Sequence, residues 1–352
     1  MNGPVLVTGG AGFIGCNIAD RLARDGHDVI ILDALARAGV DTNLDWLKQR
    51  HGSKIQAIIA DVRDEETVAR AVRDAGAVFH MAAQVAVTTS LVDPIDDFQV
   101  NIRGTLTLLE AVRRRSANVP VIFASTNKVY GDLADIQLEE DDDRWMPADP
   151  DVRAHGISEE RPLDFHTPYG CSKGAADQYV LDYARSYGLP TAVIRMSCIY
   201  GPRQMGTEDQ GWVAHFLIRA LEGRPITIYG DGKQVRDVCH VDDAVDTYLA
   251  ALAAIDRVKG RVFNLGGGPD NAISLRQLLR HIETLTGRPP ETRFEGWRAG
   301  DQRYFVADAR LARSTLGLGA PRPWQQGIAE LAEWLAEARG LEVHAGHMEA
   351  AE

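Results

Sequence analysis

The stretch "VLVTGGAGFIG", residues 5 to 15, decides the reading of the whole chain. Its first residues are a short apolar run of strand type. Gly9, Gly12 and Gly15 then follow at three-residue spacing, and Phe13 and Ile14 open an amphipathic segment, "FIGCNIADRLAR". Each glycine has a separate use. The first permits a tight turn, the second lets backbone approach a pyrophosphate, and the third lets the helix pack closely on the strand. The helix N-terminus supplies N–H groups and a positive dipole to the same anion. A glycine triplet alone is weak, but strand before and helix after is the context that a dinucleotide site requires.

Outward from this loop, strand-like runs recur at 29–32, 55–60, 77–83, 119–124 and 191–196, separated by helical patterns. In "FQVNIRGTLTLLEAVRR", Phe98, Ile102, Thr105, Leu106 and Leu109 are expected on one helical face. Strands alternating with helices predict an α/β fold, a doubly wound parallel sheet. After about residue 200 Gly-Pro turns multiply and the elements shorten, which predicts a smaller mixed lobe. The sheet domain is expected over 1–200 and about 238–266, a substrate-binding lobe over about 201–237 and 267–340, and a flexible tail over 341–352. The acidic "LEEDDDRW", 138–145, is read as a solvated loop.

Composition narrows the function. The chain has 352 residues, 45% hydrophobic and 25% charged, with a net charge of -12. That balance argues against nucleic-acid or membrane-surface binding, which want a positive field. The four cysteines, Cys16, Cys171, Cys198 and Cys239, have no C-x-x-C spacing. They are expected to be reduced thiols of a cytoplasmic protein, with no metal site. No apolar run is long enough to span a bilayer.

Asp33 closes the second run at the distance expected for bonding a ribose 2′-OH, which favours NAD over NADP. Arg37 nearby leaves room for a 2′-phosphate. Asp61 and Val62 follow the third run, where an Asp can reach the adenine amine. Ala82 and Ala83 leave space after the fourth. Farther on, Tyr169 and Lys173 form Y-x-x-x-K, which places both on one helical face. A lysine beside a tyrosine is expected to stabilise the phenolate and make Tyr169 a base near neutral pH. Ser125 and Thr126 end a strand between the glycine loop and this pair.

With "HMAAQ", "STNKVYG", "YGCSK", "IYGPRQ", "YGDGKQVRDVCHVDD" and "FNLGGG" added, the chain resembles, over nearly its whole length, the extended short-chain dehydrogenase/reductase family of nucleotide-sugar epimerases and dehydratases. The resemblance implies a Rossmann sheet domain and bound NAD. It implies a catalytic Thr126, the base Tyr169 and its partner Lys173, with Arg236 on the sugar-nucleotide diphosphate. Gln84, Asn101 and Ser125 complete the expected cofactor contacts. Gln204, Gln210, Trp212, Arg298 and Asp301 are expected around the nucleotide sugar. Helices near 97–114 and 170–187 resemble the family's dimer-forming pair, implying a homodimer or a dimer of dimers. His240 stands where aromatic or aliphatic residues are more usual.

Dehydratases of the family carry Asp-Glu after the catalytic Thr; here Asn127 and Lys128 stand there. The stretch including "GTEDQGWVAHF" is most similar to the CDP-paratose/CDP-tyvelose 2-epimerases. Inversion at carbon 2 by transient oxidation is therefore expected, by hydride transfer at that carbon. Lys128 is read as facing the sugar or pairing with the acidic loop, and it is held unfit as a base because that loop would keep its pKa high. Alternatives are another nucleotide-sugar epimerase (carbon 4, a UDP or dTDP sugar) and a non-catalytic dinucleotide-sensing regulator.

Overall fold

The apolar runs become β1 (Val5–Thr8), β2 (Val29–Asp33), β3 (Ile55–Ile59), β4 (Ala77–His80), β5 (Val121–Thr126) and β6 (Thr191–Met196). A seventh strand, β7 (Arg261–Leu265), joins them in the computed structural model, which describes residues 3–115, 119–298 and 300–341. The sheet order is β7-β6-β5-β4-β1-β2-β3, and every pairing is parallel. Chain order reverses at β1, which lies between β4 and β2. In such sheets ligands bind in the crevice at the carboxyl ends beside this reversal.

Alternate strand residues feed two cores, one on each face. Val5, Val7, Ile31, Phe79, Ile122 and Ile194 pack under helices Phe13–Arg24 and Val241–Ala253. Leu6, Ile30, Val78, Val121, Phe123 and Val193 pack under Glu65–Asp74, Gly104–Arg114 and Thr167–Tyr187. Each such buried side chain contributes about 1.5–3 kcal/mol relative to exposure. A third core joins Val213, Leu217, Ile226, Ile228, Val238, Leu278 and Leu331 in the later part of the chain. There Val235–His240 pairs with Cys198–Tyr200, Ala272–Ser274 and Tyr304–Phe305.

Three expectations are corrected. The helix expected near 97–114 is not one regular helix: Gln99–Arg103 forms a π-turn. The wider turn rotates the buried face to Asn101, Thr105, Leu108, Leu109 and Val112, leaving Phe98 48% exposed. The acidic stretch is no free loop. Leu138–Glu140 pairs antiparallel with Trp145–Pro147, and its carboxylates meet Arg153, Lys233 and Arg280. Nor does Lys128 join it, as its ammonium donates to the Gly300 carbonyl (2.8 Å). Residues 342–352, most of the expected tail, lie outside the described residues.

Candidate active site

The glycine loop is a bare anion cradle. Gly9 has φ +67, and a Cβ there would stand 2.7 Å from the Ala82 backbone nitrogen, so the loops after β1 and β4 touch only through glycine. A Cβ on Gly15 would meet the Gly9 carbonyl at 2.2 Å. Helix Phe13–Arg24 begins at Gly12 with no capping side chain, which leaves its first N–H groups for a ligand. Asp33 stands at the tip of β2, with its Oδ2 accepting from Ala11 N (2.9 Å) and its Oδ1 from Leu35 N (2.8 Å). The carboxylate thus shapes the loop and keeps lone pairs for a diol. Val62 is buried against Gly104, and Asp61 is held by Arg63, which also binds Asp96. Gln84 and Asn101 clasp each other through Gln84 N to Asn101 Oδ1 (2.9 Å) and Asn101 Nδ2 to Gln84 O (3.1 Å). Ala82 and Ala83 precede this clasp.

His80, at the end of β4, completes the floor. The Thr105 hydroxyl donates to Asn101 O (2.6 Å), so it accepts from His80 Nε2 (3.0 Å). His80 Nδ1 then accepts from the Thr8 hydroxyl (2.7 Å), fixing a neutral tautomer. Burial, with Lys173 adding to it, pushes this imidazole down to about 3.

The reacting groups gather where β5 ends. Thr126 and Tyr169, 7% and 8% exposed, are neighbours here. The Thr126 oxygen also accepts from Lys128 N (3.3 Å), the start of a tight turn. Lys173 donates to Ala124 O (2.6 Å) and lies over the Phe123 ring at 4.2 Å. Ser125 turns inward and donates to Asp177 (2.7 Å).

Ionisation departs from expectation. Burial pushes the Tyr169 phenol up to about 12; Thr126 opposes this and Asp97 adds to it. Burial pushes Lys173 down to about 7 against the pull of Asp177 and Asp97. A neutral-pH phenolate made by Lys173 alone is therefore not what the free chain holds, because both groups lose water together.

Lys128 is corrected as well. Burial, then Arg236, lowers its pKa to about 8, although Asp301, Cys198 and Asp132 oppose them. The ammonium still predominates at pH 7. Asn127 bridges two groups: its Oδ1 accepts from the Thr126 hydroxyl (3.4 Å) and its Nδ2 donates to the buried Gln302 Oε1 (3.0 Å). Arg236 donates to Val235 O and Gln302 O. A cleft lined by Asp132, Leu138, Trp145, Asp301, Arg303 and Tyr304 opens on the Lys128 side.

The other expected substrate residues divide. Trp212 donates to Cys198 Sγ (3.3 Å), one of the groups around Lys128. Arg298 lies over the Tyr229 ring at 3.6 Å and binds Glu208. Gln210 meets Arg37, near Asp33 and apart from the Thr126–Tyr169 pair. Gln204 lies beneath Gly211 with its Oε1 buried and unpartnered. His240 caps helix Val241–Ala253 through Asp242 N and neighbours Arg322, so its contacts are structural. Among the described residues one cluster has ligand-type side chains in metal-binding proximity. There His166 lies between Asp132 and Asp164, all exposed, as an ordinary ion-pair arrangement. Sequence reasoning missed Asp97, Asp177, Arg195 and Gln302; of these only Arg195, a charge inside the apolar run of β6, carried a local signal.

A dinucleotide cradle at the reversal of a parallel sheet, with a Thr–Tyr–Lys trio one strand away, defines an α/β enzyme of the dehydrogenase type. The NAD dependent epimerase/dehydratase family model matches residues 5–266, and the chain belongs to that family. It is 42% identical to the CDP-paratose 2-epimerase of Salmonella typhi, over 94% of this chain and 98% of that one. It is 36% identical to the UDP-glucose 4-epimerase of Mycolicibacterium smegmatis, over 94% and 96%. Among solved structures, the UDP-glucose 4-epimerase of Thermotoga maritima with UDP-glucose superposes with a TM-score of 0.82 at 31% identity, covering 96% of this chain and 99% of that one. The protein is an NAD-dependent nucleotide-sugar enzyme, and the bare helix N-terminus, Gly9 and Asp33 fit that cofactor.

Asp33→Ala is expected to weaken NAD about tenfold or more, as loss of a charged hydrogen bond does, and NADP less. Titration calorimetry with both dinucleotides checks this. Equal losses would mean that Asp33 acts only through the loop it braces.

Proposed function

We propose that the protein inverts carbon 2 of a CDP-linked hexose, of the CDP-paratose to CDP-tyvelose type, by transient oxidation and re-reduction. The observation that carries this reading is the 42% identity, over nearly all of both chains, to the CDP-paratose 2-epimerase, joined to a site with no carboxylate pair after Thr126. NAD held by the glycine loop, the bare helix start and Asp33 would supply hydride acceptance and return at the sugar carbon, and its positive charge would favour the Tyr169 phenolate. Tyr169 takes the proton from the reacting hydroxyl. Thr126 bonds the same oxygen, and Tyr169 gives the proton back when the ketone is reduced. Lys173, fixed on Ala124 O, supplies positive charge behind the phenol. Lys128, an ammonium below about pH 8, donates to a sugar oxygen, and Arg236 holds the diphosphate.

The reading predicts direct hydride transfer at carbon 2. Oxidation at carbon 3 is open only to a hexose that keeps its 3-hydroxyl, which a 3,6-dideoxy sugar lacks, and it would also demand a base for the carbon-2 proton, whereas Lys128 is mostly protonated. Turnover is measured on CDP-, UDP-, GDP- and dTDP-hexoses, with deuterium placed at carbon 2 of whichever is accepted. Product that keeps the label supports the direct route. Washout into solvent would make Lys128 a carbon base, and preference for inversion at carbon 4 of a UDP sugar would favour the second reading, which the 36% identity to a UDP-glucose 4-epimerase supports.

Self-association belongs to the same reading. Val92 (85% exposed) and Ile95 (69%), with Leu91, Phe98 and Tyr179, make an apolar surface on the helices 87–98 and 167–187, which pack together. Such a surface fits a helix-paired homodimer. The free cysteines fit a cytoplasmic setting, and no helix among the described residues is long and apolar enough to cross a membrane.

A further inference from the structure

Asp97 is a buried carboxylate that makes no ion-pair contact among the described residues and is linked through Asn101 to Ser172, on the turn that carries the reacting pair. Only 1% of it is exposed. Its Oδ1 accepts from Asn101 Nδ2 (3.2 Å), and its Oδ2 has no partner. Asn101 also donates to Ser172 Oγ (2.9 Å), the residue between Tyr169 and Lys173, and the Ser172 hydroxyl lies beside Asp97. The π-turn Gln99–Arg103 aims Asn101 at this junction. π-turns recur at functional sites for this kind of re-aiming. A buried charge that is neither paired nor fully hydrogen-bonded is costly, and its cheapest explanation is a nearby group that needs it.

We propose that Asp97 is a positioning residue of the reacting site, whose negative charge keeps Lys173 an ammonium behind the Tyr169 phenol. This rests on the reading of Tyr169 as base and Lys173 as its cationic partner. An anion at this place stabilises the Lys173 ammonium and opposes the Tyr169 phenolate, so it raises both titrations together. The directions agree, since Asp97 pulls upward on both groups. The other charged or titratable groups here are few. Asp177 faces Lys173 but is paired with Arg195, and His80 is neutral. Asp96 adjoins Asp97 but pairs outward with Arg63. Asp97 is therefore the carboxylate in this set that no arginine neutralises, which leaves its charge acting on Lys173.

The test is Asp97→Asn, an isosteric change that keeps the acceptor for Asn101. Removing the anion should lower both titrations, moving both limbs of the pH–rate profile toward acid by about one pH unit. A readout independent of turnover is the lysine 13Cε signal of Lys173, assigned by its loss in Lys173→Met, whose titration midpoint should fall by a similar amount. Asp97→Glu should restore much of both. A Lys173 midpoint and a profile that stay in place in Asp97→Asn would overturn the proposal and leave Asp97 a packing residue. Absence of turnover on every nucleotide sugar would count against the proposed epimerisation instead, with the Lys173 midpoint still deciding the role of Asp97.

Discussion

Tyr169→Phe is expected to lower kcat about a hundredfold to ten-thousandfold, the range for loss of a general base, while NAD stays bound. The change removes only the phenol oxygen, and the aromatic ring is retained. Thermal unfolding should therefore be nearly unchanged, which separates a chemical loss from a folding loss. The check is steady-state kinetics together with cofactor content. A variant that keeps near-full turnover would place the base elsewhere and remove the Thr126–Tyr169–Lys173 trio from the chemistry.

The second large effect concerns stability. Asp177 on helix Thr167–Tyr187 and Arg195 on β6 form a two-point ion pair, Nε to Oδ2 at 2.9 Å and Nη2 to Oδ1 at 3.0 Å. Their side chains are 0% and 4% exposed. Ser125 donates to the same carboxylate, and Arg195 donates onward to the Tyr130 hydroxyl (3.1 Å), which donates to Asn264 (2.7 Å). The network thus ties β5, β6 and β7 to the helix that carries the reacting pair. Asp177→Ala would leave a buried guanidinium unpaired and should cost about 3–5 kcal/mol in urea unfolding. Replacing both partners by Leu and Met should recover much of that loss, since the penalty is the orphaned charge. A single-variant loss below about 1 kcal/mol would show that water reaches Arg195 and that the network is not a clamp.

The two predictions differ in how early they were available. Tyr169 and Lys173 were legible because helical spacing is a local rule: four residues place two side chains on one face whatever the rest of the chain does. Asp177 follows Lys173 by another four residues, yet its partner lies across a turn on β6, and no spacing rule connects them. The ionisation of Lys128 was misjudged for a related reason. Its neighbours in sequence are close to an acidic stretch, whereas its neighbours in space are Gly300, Arg236 and Asp301.

By itself the sequence determined the parallel sheet, the glycine cradle, Asp33 at the tip of β2 and the Thr126–Tyr169–Lys173 set. The role of Thr126 came from the family resemblance, and the rest follow from periodicity, from glycine's lack of a Cβ and from fixed offsets along one chain. Only the tertiary structure decided the π-turn that re-aims Asn101, the unpaired Asp97, the Asp177–Arg195 clamp and the lowered pKa of Lys128. Each depends on desolvation and on charges brought together from distant segments, and the strength of both is set by burial, which composition and spacing do not encode.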